Sequence, residues 1–144
     1  MKVTATIARV LLGLLFTVAG ASAFLTSGPP QPGLAGKFNE VFSQSHWSLF
    51  LGAAQLVLGV LLLINRFVPV ALIMLAAFLY NSFAFHITMA QSSLPAPIIV
   101  LVLWLIVSLR YRDVFVPIFT AVPNVAERPP KRVSRNISTP ESVV

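Results

Sequence analysis

Four stretches of the chain are apolar over close to the length of a bilayer crossing, and none of them holds an acidic residue. They cover residues 7–26, 47–65, 67–89 and 94–110. A helix needs about 20 mostly apolar residues to traverse roughly 30 Å of hydrocarbon. Backbone polar groups in lipid must be satisfied internally, which leaves helices or closed barrels, and none of the runs alternates as barrel strands do. The expected fold is therefore an all-α membrane protein, a four-transmembrane-helix bundle within residues 1–120. Composition agrees: 57% of the 144 residues are hydrophobic and 10% charged, against about 25% charged in soluble domains. Little chain remains for a second folded domain. The absence of cysteine excludes thiol–disulfide chemistry, Cys-held iron–sulfur clusters and Cys-ligated zinc. Glu40, Asp113, Glu127 and Glu141 all lie outside the runs, which excludes paired-carboxylate catalysis inside the membrane.

The connections differ in kind. Residues 27–45 begin with Pro29, Pro30 and Pro32 and continue as KFNEVFSQS, with Phe38, Val41 and Phe42 at i, i+3, i+4. That spacing suits a short amphipathic turn lying on the membrane surface. Arg66 alone separates the second and third runs, closely followed by Pro69, so these two form a tight antiparallel hairpin. Pro95 falls in the first turn of the fourth helix, where a proline is tolerated. Residues 121–144 are rich in Pro, Ser and charge and are expected to be a disordered basic tail.

Charge sets the expected orientation. With four crossings, Lys2, Arg9, Arg66, Arg110, Arg112, Arg128, Lys131, Arg132 and Arg135 collect on one side and only Lys37 on the other. The positive-inside rule places both termini of this multi-pass protein in the cytoplasm. The net charge of +6 is thus an orientation signal and an attraction to the anionic leaflet. Its partner is the lipid bilayer and not nucleic acid, since no aromatic residues interleave the basic tail. A competing reading makes the first run a signal peptide cleaved after Ala21-Ser22-Ala23. The apolar run continues through Phe24 and Leu25, which favours its retention.

Few polar residues lie within the runs. Gly13, Thr17 and Gly20 share one helical face, as do Gly52, Gln55 and Gly59. Small residues at this spacing let helix backbones approach closely in lipid. Gln55 and Asn81 are the deepest polar side chains, each eight residues from the outer end of its helix. Equal depth on adjacent helices suggests a hydrogen bond between them, either structural or part of a ligand site. His86 lies near the outer end of the third helix with Ser82 one turn deeper, and His46 opens the second. A histidine at a bundle mouth could exchange protons with a quinol. Haem is disfavoured because His46 sits at a boundary, and two histidines without a carboxylate make a poor metal site. Gln55, Asn81, Ser82 and His86 are therefore the ligand-binding candidates, a quinone the cofactor class left open, and no metal is expected. Trp47 and Tyr111 suit interfacial belts, whereas Trp104 is deeper and should pack on a neighbouring helix.

The succession ARVLLGLLFTVAG, LGAAQLVLGVLLLINR, NSFAFHITMA and LRYRDVF resembles the DoxX family of small bacterial membrane proteins, over residues 8–119. The resemblance implies a four-helix membrane bundle. It implies a role as subunit or accessory of a quinone-linked redox system or an envelope-stress system, with a larger membrane oxidoreductase or a second copy as partner. Family members often carry Glu where this chain has Gln55, which offers an amide in place of a protonatable group. The alternatives are a small transporter or lipid-handling protein, and a non-catalytic assembly factor.

Overall fold

The computed structural model describes residues 2–25 and 30–119; the basic tail expected at 121–144 lies outside them. Among the described residues all regular structure is helical. Six α-helices follow in order: α1 (Lys2–Leu25), α2 (Gly33–Gln44), α3 (Trp47–Leu63), α4 (Val68–Thr88), α5 (Pro95–Arg110) and the single turn α6 (Arg112–Phe115). Short 3-10 turns occupy Gln91–Ser93 and Val116–Phe119.

Local sequence explains the boundaries. Pro69 and Pro95 sit in the first turns of α4 and α5, where the missing N–H has no intrahelical partner to lose. α3 ends in a left-handed Asn65 (φ 58°), a conformation that asparagine adopts more readily than most residues. The Arg66 amide then closes back on the Leu61 carbonyl at 3.0 Å. The last carbonyls of a helix lack partners within it. Here Arg9 of α1 supplies them, its guanidinium donating to the carbonyls of Leu62 and Leu63. That places a cation on the negative end of the α3 dipole.

α1 packs most extensively on α3 and also lies against α5, while α4 lies against both α3 and α5. The four long helices thus close a ring, with edge-to-face Phe16 and Phe78 (ring centroids 6.4 Å apart) reaching across it. The α1–α3 contact is backbone on backbone. A Cβ on Gly20 would stand 2.6 Å from the Gly52 carbonyl oxygen, and one on Gly59 would stand 2.8 Å from that of Gly13. Gly13 opposes Gly59 and Gly20 opposes Gly52, seven residues apart on each helix, as an antiparallel pair requires. The core fills one end of the ring: Ala8, Leu12 and Phe16 meet Leu58, Leu62, Val68, Ala71, Leu72, Leu75 and Val107.

The outward faces are as apolar as the core. Val18, Val57, Ile73, Met74, Tyr80, Ile99 and Val102 are all exposed, a surface suited to lipid and not to water. α1 and α4 are each long and apolar enough to cross a membrane. α2 and α3 together make a third candidate crossing, bent by 86° at Ser45–His46. α5 is apolar but has 16 residues, about 24 Å of helix. The amphipathic turn expected around Phe38–Phe42 is a full 12-residue helix lying almost at right angles to α3. It is tethered by Phe38, which stacks on Phe42 at 5.7 Å and leans on Phe85 of α4 at 5.6 Å.

Gly20→Ala and Gly59→Ala should each cost about 1–3 kcal/mol, because backbone atoms cannot move aside for the added methyl. Gly13→Ala should cost less, since its nearest obstacle is the movable Leu63 side chain at 2.9 Å. Thermal unfolding in detergent measures all three, and a Gly20→Ala protein as stable as the parent would refute the close approach.

Candidate functional site

The core leaves the other end of the ring incompletely filled. A pocket of about 170 Å³ lies there, lined by Phe16 of α1, Gln55 of α3, Phe78, Leu79, Ser82 and His86 of α4, and Ala96, Pro97 and Val100 of α5. All four long helices contribute. Three of the four ligand candidates read from the sequence, Gln55, Ser82 and His86, come together in it.

Asn81 does not. It is exposed on the outer face of α4, and its side-chain amide donates to the Ala77 carbonyl at 2.9 Å. The pairing expected between Gln55 and Asn81 is therefore not formed. The reason is angular. The buried α4 residues Val68, Leu72, Leu75 and Leu79 recur at steps of three and four, and that stripe continues through Ser82 and His86. Asn81 has the right depth but projects about 100° of helical rotation away from Ser82. Gln55 is half-buried, and its side chain forms no hydrogen bond among the described residues.

His86 is held in a defined tautomer. Its Nδ1 lies 2.7 Å from the Ser82 carbonyl oxygen. A carbonyl only accepts, so Nδ1 carries the hydrogen and Nε2 is left to accept or, once protonated, to donate. Phe85 packs its ring edge-on to the imidazole at 5.3 Å, and Phe85 in turn touches Phe38 of α2. The aromatic chain joins the surface helix to the pocket wall.

The second histidine lies elsewhere. His46 occupies the left-handed turn between α2 and α3 (φ 59°). It lines a separate, larger cleft of about 860 Å³ with Ser22, Lys37 and Glu40. The two imidazoles thus face different spaces, and no group of three or more His, Asp or Glu side chains suited to a metal occurs among the described residues.

Sequence reading missed the aromatic walls. Phe16 and Phe78 carry no polar signal in the sequence, although Phe16 falls on the buried stripe of α1 and Phe78 packs half-buried against the core. Trp104 does reach its neighbour, donating from Nε1 to the Leu72 carbonyl of α4 at 2.8 Å. That bond ties α5 to α4 below the pocket.

Comparison of the chain with protein-family profiles, curated proteins and solved structures finds no match.

Since Gln55 makes no bond to lose, Gln55→Leu should change stability by less than about 1 kcal/mol. Trp104→Phe, which deletes a formed interhelical bond, should cost about 1 kcal/mol. Paired unfolding measurements in detergent check the order, and a Gln55→Leu protein that fails to fold would make the amide structural.

Proposed function

We propose that all four long helices cross the bilayer as a bundle of the DoxX-like type, with both termini on the cytoplasmic face of the inner membrane. Support comes from the closed ring, from its apolar outer faces, and from the gathering of Lys2, Arg9 and Arg110 at one end. Lys37, on the surface helix, lies at the other. At about 26 Å and 24 Å, α3 and α5 fall short of a full hydrocarbon core. Local thinning of the bilayer accommodates such helices at modest cost.

Within that bundle the pocket binds the ring of a quinone or quinol, and the protein serves a membrane redox system as a ring-binding subunit. The observation that carries this reading is the convergence of Gln55, Ser82 and His86 on one small, aromatic-walled space. An apolar cavity of about 150 Å³ holds a benzene ring, so 170 Å³ suits one six-membered ring with small substituents. A quinone ring carries two oxygens. The Gln55 amide can donate to a quinone oxygen or accept from a quinol hydroxyl, and the free Nε2 of His86 can accept from the other hydroxyl of a quinol. Such a ring would supply two-electron, two-proton chemistry to a redox-active partner, with its isoprenoid tail lying between helices in lipid.

The test is solvent extraction of protein purified in mild detergent, with chromatographic detection of quinone. Near-stoichiometric quinone in the parent, reduced several-fold in His86→Ala and Gln55→Leu, is the expected result. Equal content in parent and variants, or none in any, would overturn the ring site. Solute flux through proteoliposomes of the protein alone would favour transport instead, and co-purification with a larger enzyme regardless of His86 would favour an assembly role.

A further inference from the structure

The opposite end of the ring holds a second, differently built space. A cavity of about 260 Å³ is lined by Lys2, Ala5, Thr6 and Arg9 of α1, by Asn65 in the α3–α4 turn, and by Arg110 and Tyr111 at the end of α5. Three cations thus surround one small volume. No acidic side chain among the described residues lines it. Among the described residues the acids are Glu40, which lies on α2 beside the other cleft, and Asp113, which pairs with Arg112 at 3.5 Å in an exposed ion pair.

We propose that this cavity binds a phosphate-bearing anion, and that its source is the headgroup of an anionic phospholipid. Gathering three like charges without a counter-charge is unfavourable, and a bound anion removes that cost. The site is partly preorganised. Arg9 is anchored by the Leu62 and Leu63 carbonyls, yet a guanidinium has five N–H donors, and bonds to two carbonyls leave others for a phosphate. The Tyr111 hydroxyl donates to Asn65 Oδ1 at 3.4 Å, which leaves the Asn65 amide hydrogens available. The volume is several times that of one water, about 30 Å³, so it accommodates a phosphate with part of its glycerol. Exposed Val3, Ile7, Ile64 and Leu109 adjoin the lining residues in sequence, giving acyl chains an apolar surface beside the cations. Basic pockets between transmembrane helices on the cytoplasmic side suit anionic headgroups in this way. The site is independent of the ring pocket at the far end and can fail or stand without it.

The full-length protein in a neutral detergent is titrated with dioctanoyl phosphatidylglycerol, with dioctanoyl phosphatidylcholine and with inorganic phosphate, and adducts are counted by native mass spectrometry. Arg110→Gln is the informative variant, because Arg110 is exposed and caps nothing, whereas an Arg9 variant would also uncap α3. Arg112→Gln removes the same charge outside the cavity. Phosphatidylglycerol should bind at least about fivefold more tightly than phosphatidylcholine, and Arg110→Gln should lose about fivefold, the attraction of one basic residue for an anionic surface. Arg112→Gln should bind as the parent does. Inorganic phosphate binding as well as phosphatidylglycerol, with the same dependence on Arg110, would make free phosphate the ligand and overturn the lipid assignment. Equal binding of the two lipids, or equal loss in Arg110→Gln and Arg112→Gln, would overturn the site altogether.

Discussion

The backbone contact between α1 and α3 is the constraint from which the rest of the ring follows. In lipid there is no hydrophobic gain from putting two apolar helices together, so close packing must supply the attraction. Paired glycines at Gly13/Gly59 and Gly20/Gly52 let the two backbones meet, and Arg9 fixes their relative height by covering the last carbonyls of α3. Once α1 and α3 are locked, the short turn at Asn65–Phe67 lays α4 beside α3. α5 closes the ring between α4 and α1, with the Trp104–Leu72 bond setting its height.

The two ends of this ring are packed differently. Leu12, Leu58, Leu62, Leu72, Leu75 and Val107 fill the end where α1 begins, and the basic cavity lies at its mouth. Towards the other end the glycine seam holds α1 and α3 together while α4 and α5 bring Phe78, His86 and Pro97 around a space that no side chain fills. An amide, a hydroxyl and a tautomerically defined imidazole in an apolar cavity are a costly arrangement unless they meet a polar partner. A small ring with two oxygens is such a partner.

Much of this was legible in the sequence. The expected runs at 47–65, 67–89 and 94–110 differ from α3, α4 and α5 by no more than two residues at either end, because apolar length and the prolines at Pro69 and Pro95 are local signals. Gln55, Ser82 and His86 were singled out as rare polar residues in apolar runs, which needs no tertiary knowledge. Asn81 was grouped with them on depth alone, and the stripe through Leu72, Leu75 and Leu79 would have excluded it. The Arg9 cap and the Lys2–Arg9–Arg110 cavity could not be read from the chain, since both depend on which helix ends meet. The Phe38–Phe42 face reads as a short turn and is part of a full helix, because Pro32, Gly33 and Gly36 hid the first half of α2.

The central claim is that the four ring helices cross the bilayer alternately, the shorter α3 and α5 included. The chain has no cysteine, so single cysteines report without background. Ser43→Cys, Arg66→Cys, Ser92→Cys and Asp113→Cys place one thiol in or beside each connection at the ends of the helices. A membrane-impermeant maleimide applied to intact spheroplasts should label Cys at 43 and 92 and spare 66 and 113, with the reverse pattern in inverted vesicles. Labelling of 66 and 92 from the same side would show that α4 does not cross, and the account of the ring, its pocket and its basic end would fall with it.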